Sequence, residues 1–580
     1  MARAPLIDDP SRSPSPLAAA AILLAAWFAA SLAVNLPPFT DALFGLFHLG
    51  FALEVGAAFG VLALTRAKAG RVPGWLLHAV AGVLTLLVAI RIGDLVARSM
   101  VDRPLNLYLD VSLLPATMDV AETLLGPLRA WGAVAALLVA LGALHVVLAW
   151  LLARVAGLFA APAARTSMFA LGAGALALFG GQKAFMEGLP GWRPVGASAS
   201  LAASQQVEGV SLALARRAAF RADLARDAAD GIPDEALFGA LAGRDVVLIF
   251  IESYGVTALD TPAYAASIAP RLGAFEAAAR GAGFAMTSGR MVAASAGGQS
   301  WLNHASISSG RFIDDQTLYA LFLSENPRTL VDDFSRAGYR TVQSMPAITL
   351  PWPEGKLLGY DATYEAADMG YEGPFFYWGI VPDQFALDHL ADTELHRPDR
   401  PPVFAMAALI SSHAPWLPVP DVVPWEDLGD GSVYRRWTDG APEPREIWRD
   451  REKVRVQYAL SVAHSIDAAA AFVAERLGPD TVAIVMGDHQ PAPLITGEDA
   501  SRAVPVHVLA RDEALLAPFA ALGFVPGAIP APAPAVGDAA LPRIDALRPA
   551  LLEGWRRGGA AAEARASRAQ PPQRAKRAME

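Results

Sequence analysis

The stretch VVLIFIESYG at residues 246–255 decides the fold of the second half of this chain. Its apolar residues run without interruption into Glu252 and Ser253, and such strands are typical of a parallel sheet that is buried on both faces. Similar short runs alternate with amphipathic stretches of helical length, which predicts an α/β layered domain over residues 239–555. The other strands predicted in this way are 340–343, 403–410 and 482–486, and the crossover helices are 269–280, 327–337 and 456–477.

Polar side chains follow three of the predicted strands, at the edge where open α/β sheets bind their ligands. They are Glu252 with Ser253, Asp488 with His489, and the run from Ser411 to His413. An Asp after a strand is also a common helix cap, so each motif alone has a structural alternative. Together, two carboxylates and one imidazole form a ligand set that suits one divalent ion, Mn²⁺, Zn²⁺ or Mg²⁺.

A nucleophile for such a site is offered by the segment AASAGGQSWLNHASISSG at residues 293–310. Gly297 and Gly298 allow a close backbone approach and unusual dihedral angles, and Ser300 stands where a helix is predicted to begin. A helix N-terminus attracts anions, and a divalent metal favours loss of the serine proton. The alternative is that Ser300 is only the N-cap of that helix.

The composition indicates a membrane protein with a large folded part. Hydrophobic residues make up 54% of the 580 residues and charged residues 18%, and the mean hydropathy is +0.34. These values disfavour a purely soluble protein and exclude global disorder. The formal net charge of −10 gives no support to nucleic-acid binding. The chain has no Cys, which excludes disulfides, thiolate metal sites and a Cys nucleophile.

Apolar runs in the first third of the chain predict a bundle of about five transmembrane α-helices, since about 20 apolar residues cross a bilayer. The alternative, a set of buried helices in a soluble domain, fits poorly because such helices rarely lack charge over these lengths. Lys and Arg flank the runs in the stretches 3–12, 66–71 and 154–165, which predicts that these stretches are cytoplasmic. After five crossings, the chain beyond about residue 181 is extracytoplasmic. The runs are 17–34, 42–64, 75–90, 131–152 and 166–180.

Four parts follow from these patterns: a transmembrane domain at 1–185, a connector at 186–238, the α/β domain at 239–555, and a disordered basic tail at 556–580. The connector has helical periodicity over 201–227, with four arginines at polar positions. This amphipathic helix suits either an anionic lipid surface or a solvated linker.

The motifs around Glu252, Ser300, Asp488 and His489 resemble the sulfatase-like branch of the alkaline phosphatase superfamily. More closely, the chain is similar to membrane-anchored enzymes of the lipoteichoic acid synthase and phosphoglycerol transferase type. VVLIFIESYG, ISSHAPW at residues 410–416 and VAIVMGDHQP at residues 482–491 carry the resemblance. It implies a sulfatase-like catalytic domain that follows the membrane helices.

The resemblance also implies roles for individual residues. Glu252, Asp488 and His489 would bind one divalent metal ion together with Ser300, which takes the place of the nucleophilic Thr or Ser. His413 matches a histidine that contacts the phosphate or the leaving group of the substrate. Trp378, in the stretch YWGIVPD at residues 377–383, would line the substrate pocket.

Two departures from related patterns narrow the expected activity. The Pro and Arg that follow the modified residue of sulfatases are missing after Ser300, which argues against sulfatase activity. Phosphoethanolamine transferases of lipid A usually carry disulfides, and this chain has no Cys. The resemblance therefore favours transfer of a phosphoalcohol headgroup, phosphoglycerol above all, from a membrane phospholipid donor to a glycan or glycolipid acceptor.

Three other functions remain open from the sequence. A phosphodiesterase or phosphatase would use the same site with water as the acceptor. A non-catalytic membrane protein with a vestigial domain would not need all four metal-site residues. Glu54, Arg91 and Asp94 would suit a transporter, but an interfacial ion pair explains Arg91 and Asp94 better. The expected location is a bacterial-type inner membrane, with several crossings and the catalytic domain on the periplasmic side.

Overall fold

The structure is a computed structural model, and it describes residues 15–35, 50–101, 104–111, 114–185, 194–349, 352–534, 537–561 and 564. The chain forms two compact units. The first comprises residues 1–99 and 103–215, and the second comprises residues 100–102 and 216–580. The domain boundaries predicted from the sequence stay predictions, and the tail from residue 565 onward lies outside the described residues.

The first unit is helical. Among the residues that the structure describes, four helices are long and apolar enough to cross a membrane: Pro16–Val34, Gly74–Arg98, Pro127–Leu158 and Pro162–Phe185. They correspond to four of the five predicted spans. Shorter helices cover Leu107–Asp110 and Leu114–Leu125, and Phe51–Ala52 pairs in parallel with Val195–Gly196.

The remaining predicted span, 42–64, is only partly described, because residues 36–49 lie outside the described ranges. In its place the structure has the helix Leu53–Ala69, which has 17 residues. A helix of that length reaches about 25 Å, which is short of the roughly 30 Å of a hydrocarbon core. A fifth crossing therefore stays a prediction.

Arg91 and Asp94 form the predicted ion pair, with Arg91 Nη1 at 3.0 Å from Asp94 Oδ2. Arg98 Nε lies 3.1 Å from the same oxygen, and the Leu105 amide donates to Asp94 Oδ1. The Asp94 carboxylate is thus fully engaged in local contacts, as the interfacial interpretation expects.

The second unit is built on a mixed sheet, and eight strands belong to it within the described residues. In spatial order they are β8, β2, β7, β6, β1, β5, β3 and β4. Their bounds are Asp245–Ile251 (β1), Ala285–Val292 (β2), Arg340–Met345 (β3), Ala362–Glu365 (β4), Val403–Ala408 (β5), Thr481–Gly487 (β6), Ala503–Ala510 (β7) and Val525–Pro526 (β8).

Strand β1 lies in the middle of the sheet and is buried on both faces. Val247, Ile249 and Ile251 pack into the core on one face, whereas Val246, Leu248 and Phe250 pack into the core on the other. This alternation explains the uninterrupted apolar run. The helices of the second unit cover Pro262–Gly281, Ser300–Ser309, Gln316–Glu325, Leu330–Arg336, Asp383–Leu390, Arg451–Ala471 and Leu547–Trp555.

The α/β layered domain is confirmed, and the apolar strands predicted from the sequence lie in the parallel part of a mixed sheet. Strands β4, β3, β5, β1 and β6 are parallel neighbours. Strand β7 runs antiparallel to β6, and β2 runs antiparallel to β7. The sequence patterns did not predict four of the strands, β2, β4, β7 and β8. These strands are short or contain polar residues whose hydrogen bonds are made by other parts of the fold.

The predicted connector helix exists as Ser198–Asp223. Two of its predicted polar-face arginines form ion pairs inside the second unit, Arg216 with Asp314 and Arg221 with Glu325. These two arginines pair with carboxylates of the protein, so contact with anionic lipid is not needed to explain their positions on the polar face of the helix.

A fully buried arginine holds the far end of the helix Ser300–Ser309. Arg548 pairs with Asp333 and Asp227, in both cases at 2.8 Å. Its Nη1 also donates to the carbonyl oxygen of Ser309 at 2.8 Å. Arg548 therefore connects the last turn of the helix to the buried Asp333 and the half-buried Asp227, which helps to set the position of Ser300 at its first turn.

Candidate active site

The carboxyl ends of β1 and β6 bring the three predicted metal ligands together. Glu252, Asp488 and His489 are buried, and their ligand atoms all lie within 4.8 Å of one another. His489 Nε2 is 3.3 Å from Glu252 Oε1 and 3.6 Å from Asp488 Oδ2. The pairing of Ile251 with Gly487 explains this meeting, because the ligands follow these paired residues directly.

Backbone groups fix the orientation of Asp488. Its Oδ1 accepts hydrogen bonds from the amides of Ser253 at 2.8 Å and His489 at 2.6 Å. Ser253 is in the left-handed conformation with φ 56°, and Tyr458 donates to its carbonyl oxygen. Ser253 is thus part of the site, but a left-handed serine leaves no signal in the sequence beyond its position after Glu252.

Ser300 begins a helix, as predicted, and its side chain joins the cluster. Gly297 and Gly298 have φ of 74° and 138°, and Gln299 has φ 64°, so the loop before the helix uses the freedom that the glycines supply. Ser300 Oγ donates to Glu252 Oε2 at 3.3 Å. The hydroxyl therefore lies among the ligands at a helix N-terminus, where an anion is favoured.

A second pair of polar residues holds the glycine loop in place. Asn303 Oδ1 accepts from the Ala294 amide at 2.6 Å, and Asn303 Nδ2 donates to Ser295 Oγ at 2.7 Å. Ser295 Oγ in turn donates to the Gly298 carbonyl oxygen. Sequence reasoning missed these residues, although a fully buried Asn on the apolar face of a helix is a signal that could have found them.

His304, one turn after Ser300, is a half-buried residue with a buried Nε2 that the sequence did not single out. Its ring lies against Phe250 with centroids 4.2 Å apart, and its Nε2 makes no hydrogen bond with any group that the structure describes. Burial lowers the pKa of His304 to about 4. The imidazole is therefore neutral near pH 7.

The electrostatics of the cluster indicate an excess of negative charge. Burial acts to raise the pKa of Glu252, but the positive charge of His489 outweighs it and holds this pKa well below its usual range. Burial and the charge of Glu252 raise the pKa of Asp488. Burial acts to lower the pKa of His489, but the two carboxylates outweigh it and raise this pKa. The two carboxylates therefore favour a positive charge, such as a proton or a cation, between Glu252, Asp488 and His489.

A divalent cation fits these residues. The buried His489 Nε2 makes no hydrogen bond within the described part of the chain, which leaves its lone pair available in the neutral tautomer. Its Nδ1 lies 2.8 Å from the Gln490 carbonyl oxygen, so Nδ1 carries the hydrogen and Nε2 is the ligand atom. This second contact of a ligating histidine is usual in metal sites. Glu252, Asp488 and Ser300 supply oxygen donors beside it.

His413 lies in the loop after β5, and its side chain is exposed. Its Nδ1 lies 2.6 Å from the Ala414 carbonyl oxygen, so Nδ1 donates and Nε2 is the atom that can exchange a proton. The charge of His413 contributes to the low pKa of Glu252. The histidine is thus within electrostatic reach of the cluster.

Trp378 is not exposed at the site. Its side chain is 4% exposed, stacks on Phe376 with centroids 4.4 Å apart, and donates from Nε1 to the Pro418 carbonyl oxygen. In this structure it packs beneath the segment that follows His413 and presents little surface to a substrate. Its proposed contact with the substrate stays a prediction.

Several solved structures match about half of the chain. No family model matches the sequence, and no curated protein does.

Three of these structures are a lipoteichoic acid synthase, a phosphoglycerol transferase and a protein of the alkaline phosphatase superfamily. The synthase LtaP from Listeria monocytogenes is 12% identical with a TM-score of 0.32, and the match covers 48% of this chain and 67% of LtaP. The transferase GacH from Streptococcus pyogenes is 13% identical with a TM-score of 0.33, and the match covers 52% of this chain and 74% of GacH. An alkaline phosphatase superfamily protein from Vibrio parahaemolyticus is 17% identical with a TM-score of 0.30, and the match covers 46% of this chain and 59% of that one. Likeness at this level carries no argument about activity, substrate or partners.

Proposed function

We propose that this protein transfers a phosphoalcohol headgroup, phosphoglycerol in the first instance, from a membrane phospholipid to a glycan or glycolipid through a covalent intermediate on Ser300. One observation carries the proposal. The Ser300 hydroxyl lies 3.3 Å from a carboxylate oxygen of Glu252, and that carboxylate belongs to a buried cluster with Asp488 and His489. A nucleophile among metal ligands at a helix N-terminus suits phosphoryl transfer.

Glu252, Asp488, His489 and Ser300 would hold the metal ion, which would supply positive charge for the ionised serine and the phosphoryl oxygens. Ser300 Oγ releases its proton to bulk water and forms a bond to phosphorus, while the bond from phosphorus to the diacylglycerol oxygen breaks. In the second half, the acceptor oxygen bonds to phosphorus, the bond from phosphorus to Ser300 Oγ breaks, and Ser300 Oγ takes a proton back from water. The amides of the first helical turn favour negative charge on the phosphoryl group.

His413 handles the protons of the donor and the acceptor in this proposal. Its Nε2 gives a proton to the departing diacylglycerol oxygen and later takes one from the acceptor hydroxyl. The hydrogen bond from Nδ1 to the Ala414 carbonyl oxygen keeps the ring in the tautomer that this exchange needs.

The membrane helices suit a substrate that is confined to a bilayer. Four helices in the described part of the chain are long and apolar enough to cross it. We place the second unit on the extracytoplasmic side of a plasma membrane, because Lys and Arg occur in the predicted cytoplasmic stretches 3–12, 66–71 and 154–165 and are missing from the first outer loop at 35–41. Anchoring raises the local concentration of a phospholipid donor.

Headgroup-labelled phosphatidylglycerol tests the proposal. Purified full-length protein with Mn²⁺, Zn²⁺ or Mg²⁺ should acquire label on Ser300, and Ser300→Ala should acquire none. Ser308→Ala, on the same helix but outside the cluster, is the matched control and should label normally. Equal labelling of wild type and Ser300→Ala would contradict the proposal. Release of labelled glycerol phosphate without a glycan product would instead indicate hydrolysis at the same site.

A further inference from the structure

A buried carboxylate outside the metal cluster connects two parts of the site. Asp383 lies at the first position of the helix Asp383–Leu390 and is 0% exposed. Its Oδ1 accepts from the amides of Ile410 at 2.7 Å and Ser411 at 2.8 Å. Its own amide donates to Ser411 Oγ at 3.0 Å. The loop that starts at the end of β5 is therefore bound to Asp383 by three hydrogen bonds.

The other oxygen of Asp383 leads toward the cluster. Ser465 Oγ lies 2.6 Å from Asp383 Oδ2 and 3.2 Å from Ser412 Oγ. Ser412 Oγ donates to the backbone carbonyl oxygen of Glu252 at 2.6 Å. Every member of this chain is buried, and buried hydrogen bonds to a charged group are among the stronger ones in proteins.

We propose that Asp383 is a positioning residue that holds the loop of His413 at a fixed place relative to Glu252. This inference rests on the proposed function, because it takes His413 as the group that protonates the departing oxygen. The His413 side chain is exposed, and its hydrogen bond from Nδ1 goes to the neighbouring Ala414 carbonyl oxygen. Its position therefore depends on the backbone of residues 410–412, and that backbone is fixed by Asp383.

The last residue of the YWGIVPD stretch positions a loop of the site in this proposal, whereas the resemblance implied that the stretch lines the substrate pocket. The residue of this stretch that acts on the site is Asp383, and it acts through the backbone. A misplacement of about 1 Å can cost roughly 100-fold in rate when it affects a reacting group. The loss in rate should be largest for substrates whose leaving oxygen must be protonated, since general acid catalysis contributes about 10²- to 10⁴-fold to the rate.

Leaving-group dependence tests this inference. Full-length wild type, Asp383→Ala, His413→Ala and the double variant are compared on two phosphodiesters, bis(4-nitrophenyl) phosphate and short-chain phosphatidylglycerol. Nitrophenolate leaves without a proton, whereas the diacylglycerol oxygen needs one. Asp383→Ala should lose roughly 10- to 100-fold in kcat on the lipid and less than about threefold on the aryl ester. The double variant should be no slower on the lipid than His413→Ala alone.

Two further variants guard against a merely structural effect. Asp388→Ala removes a carboxylate from the same helix, where it pairs with Arg476 at 2.8 Å, and should leave the ratio of the two rates unchanged. Ser465→Ala should show the same selectivity as Asp383→Ala with a smaller loss, and it replaces that variant if Asp383→Ala does not fold. Equal losses on both esters, or no loss on either, would overturn the inference.

Hydrogen exchange separates failure of this inference from failure of the proposed function. If wild type cleaves neither ester, the proposed function fails, and exchange at residues 409–413 then decides about Asp383. Asp383→Ala removes the oxygen that accepts the Ile410 and Ser411 amides; it should speed their exchange at least tenfold, and Asp388→Ala should not. Unchanged exchange in Asp383→Ala would overturn the positioning by Asp383.

Discussion

Removal and addition of a divalent cation should change the thermal stability of this protein markedly. Glu252 and Asp488 are buried, with ligand atoms no more than 4.8 Å apart. With an effective dielectric constant of about 20, two like charges at this distance repel by about 332/(20 × 4.8), or roughly 3.5 kcal/mol. Without a cation, a proton or His489 must offset this repulsion. A bound cation would replace it by attraction.

The size of the effect follows from linkage. A cation present at about 100 times its dissociation constant stabilises the folded state by about 2.7 kcal/mol. For a folded unit of this size, that corresponds to a rise in Tm of roughly 5 °C. The assay is tryptophan fluorescence of the full-length protein in detergent during heating, with EDTA or with added Mn²⁺, Zn²⁺ or Mg²⁺.

Asp488→Asn separates the metal effect from other causes. The variant keeps the oxygen that accepts the Ser253 and His489 amides but loses the second charge. It should melt no lower than wild type in EDTA and should gain little from the cation. Asp480→Asn, at the opposite end of β6 with a side chain that is 79% exposed, should respond as wild type does. An equal rise in wild type and Asp488→Asn would refute the reasoning.

Three further predictions concern the fold around the site. Arg548→Met should lower the free energy of unfolding by about 2–3 kcal/mol in chemical denaturation, since the buried Asp333 and the half-buried Asp227 lose a buried cation while Asp333 keeps Arg328, whereas Arg336→Met, in an exposed pair, should cost at most about 1 kcal/mol. Gly487→Ala should abolish the metal-dependent rise in Tm, because its Cβ would lie 1.8 Å from a backbone oxygen; Gly478→Ala, with its nearest neighbour at 3.9 Å, should keep the rise. Burial lowers the pKa of His507 to about 4, so the folded protein binds fewer protons than the unfolded chain between pH 6.5 and 4, and stability falls as the pH falls. His507→Gln should remove up to roughly 3 kcal/mol of this acid sensitivity, and unfolding curves at pH 7 and pH 4.5 that move equally in both proteins would contradict the prediction.

The sequence predicts the centre of the site because its residues follow directly from buried strands. The apolar runs of β1 and β6 end at Glu252 and at Asp488 with His489, and pairing in register brings these ends together. Ser300 could be placed because Gly297 and Gly298 indicate a loop before a helix. In these cases the local sequence pattern already fixes where the strand or helix ends, and the tertiary structure places the functional side chain at that end.

The antiparallel part of the sheet could not be predicted in the same way. Strand β2 contains the buried Arg290, whose terminal nitrogens donate to Asp260 and whose Nε donates to the Ala531 carbonyl oxygen. Strand β7 contains His507, which is satisfied by Ser288 and Tyr254. Each of these partners is distant along the chain, so no local pattern reveals a strand. The contacts of Asp383 could not be predicted for the same reason, because its hydrogen-bond partners lie on other elements.

Anomalous diffraction from crystals of the full-length protein grown with Mn²⁺ or Zn²⁺ tests the central claim most directly. One strong peak should lie about 2.0–2.3 Å from a carboxylate oxygen of Glu252, from Asp488, from His489 Nε2 and from Ser300 Oγ. A peak bound elsewhere, or ligands that hold the ion while Ser300 Oγ stays beyond bonding distance, would contradict a serine nucleophile at a metal centre.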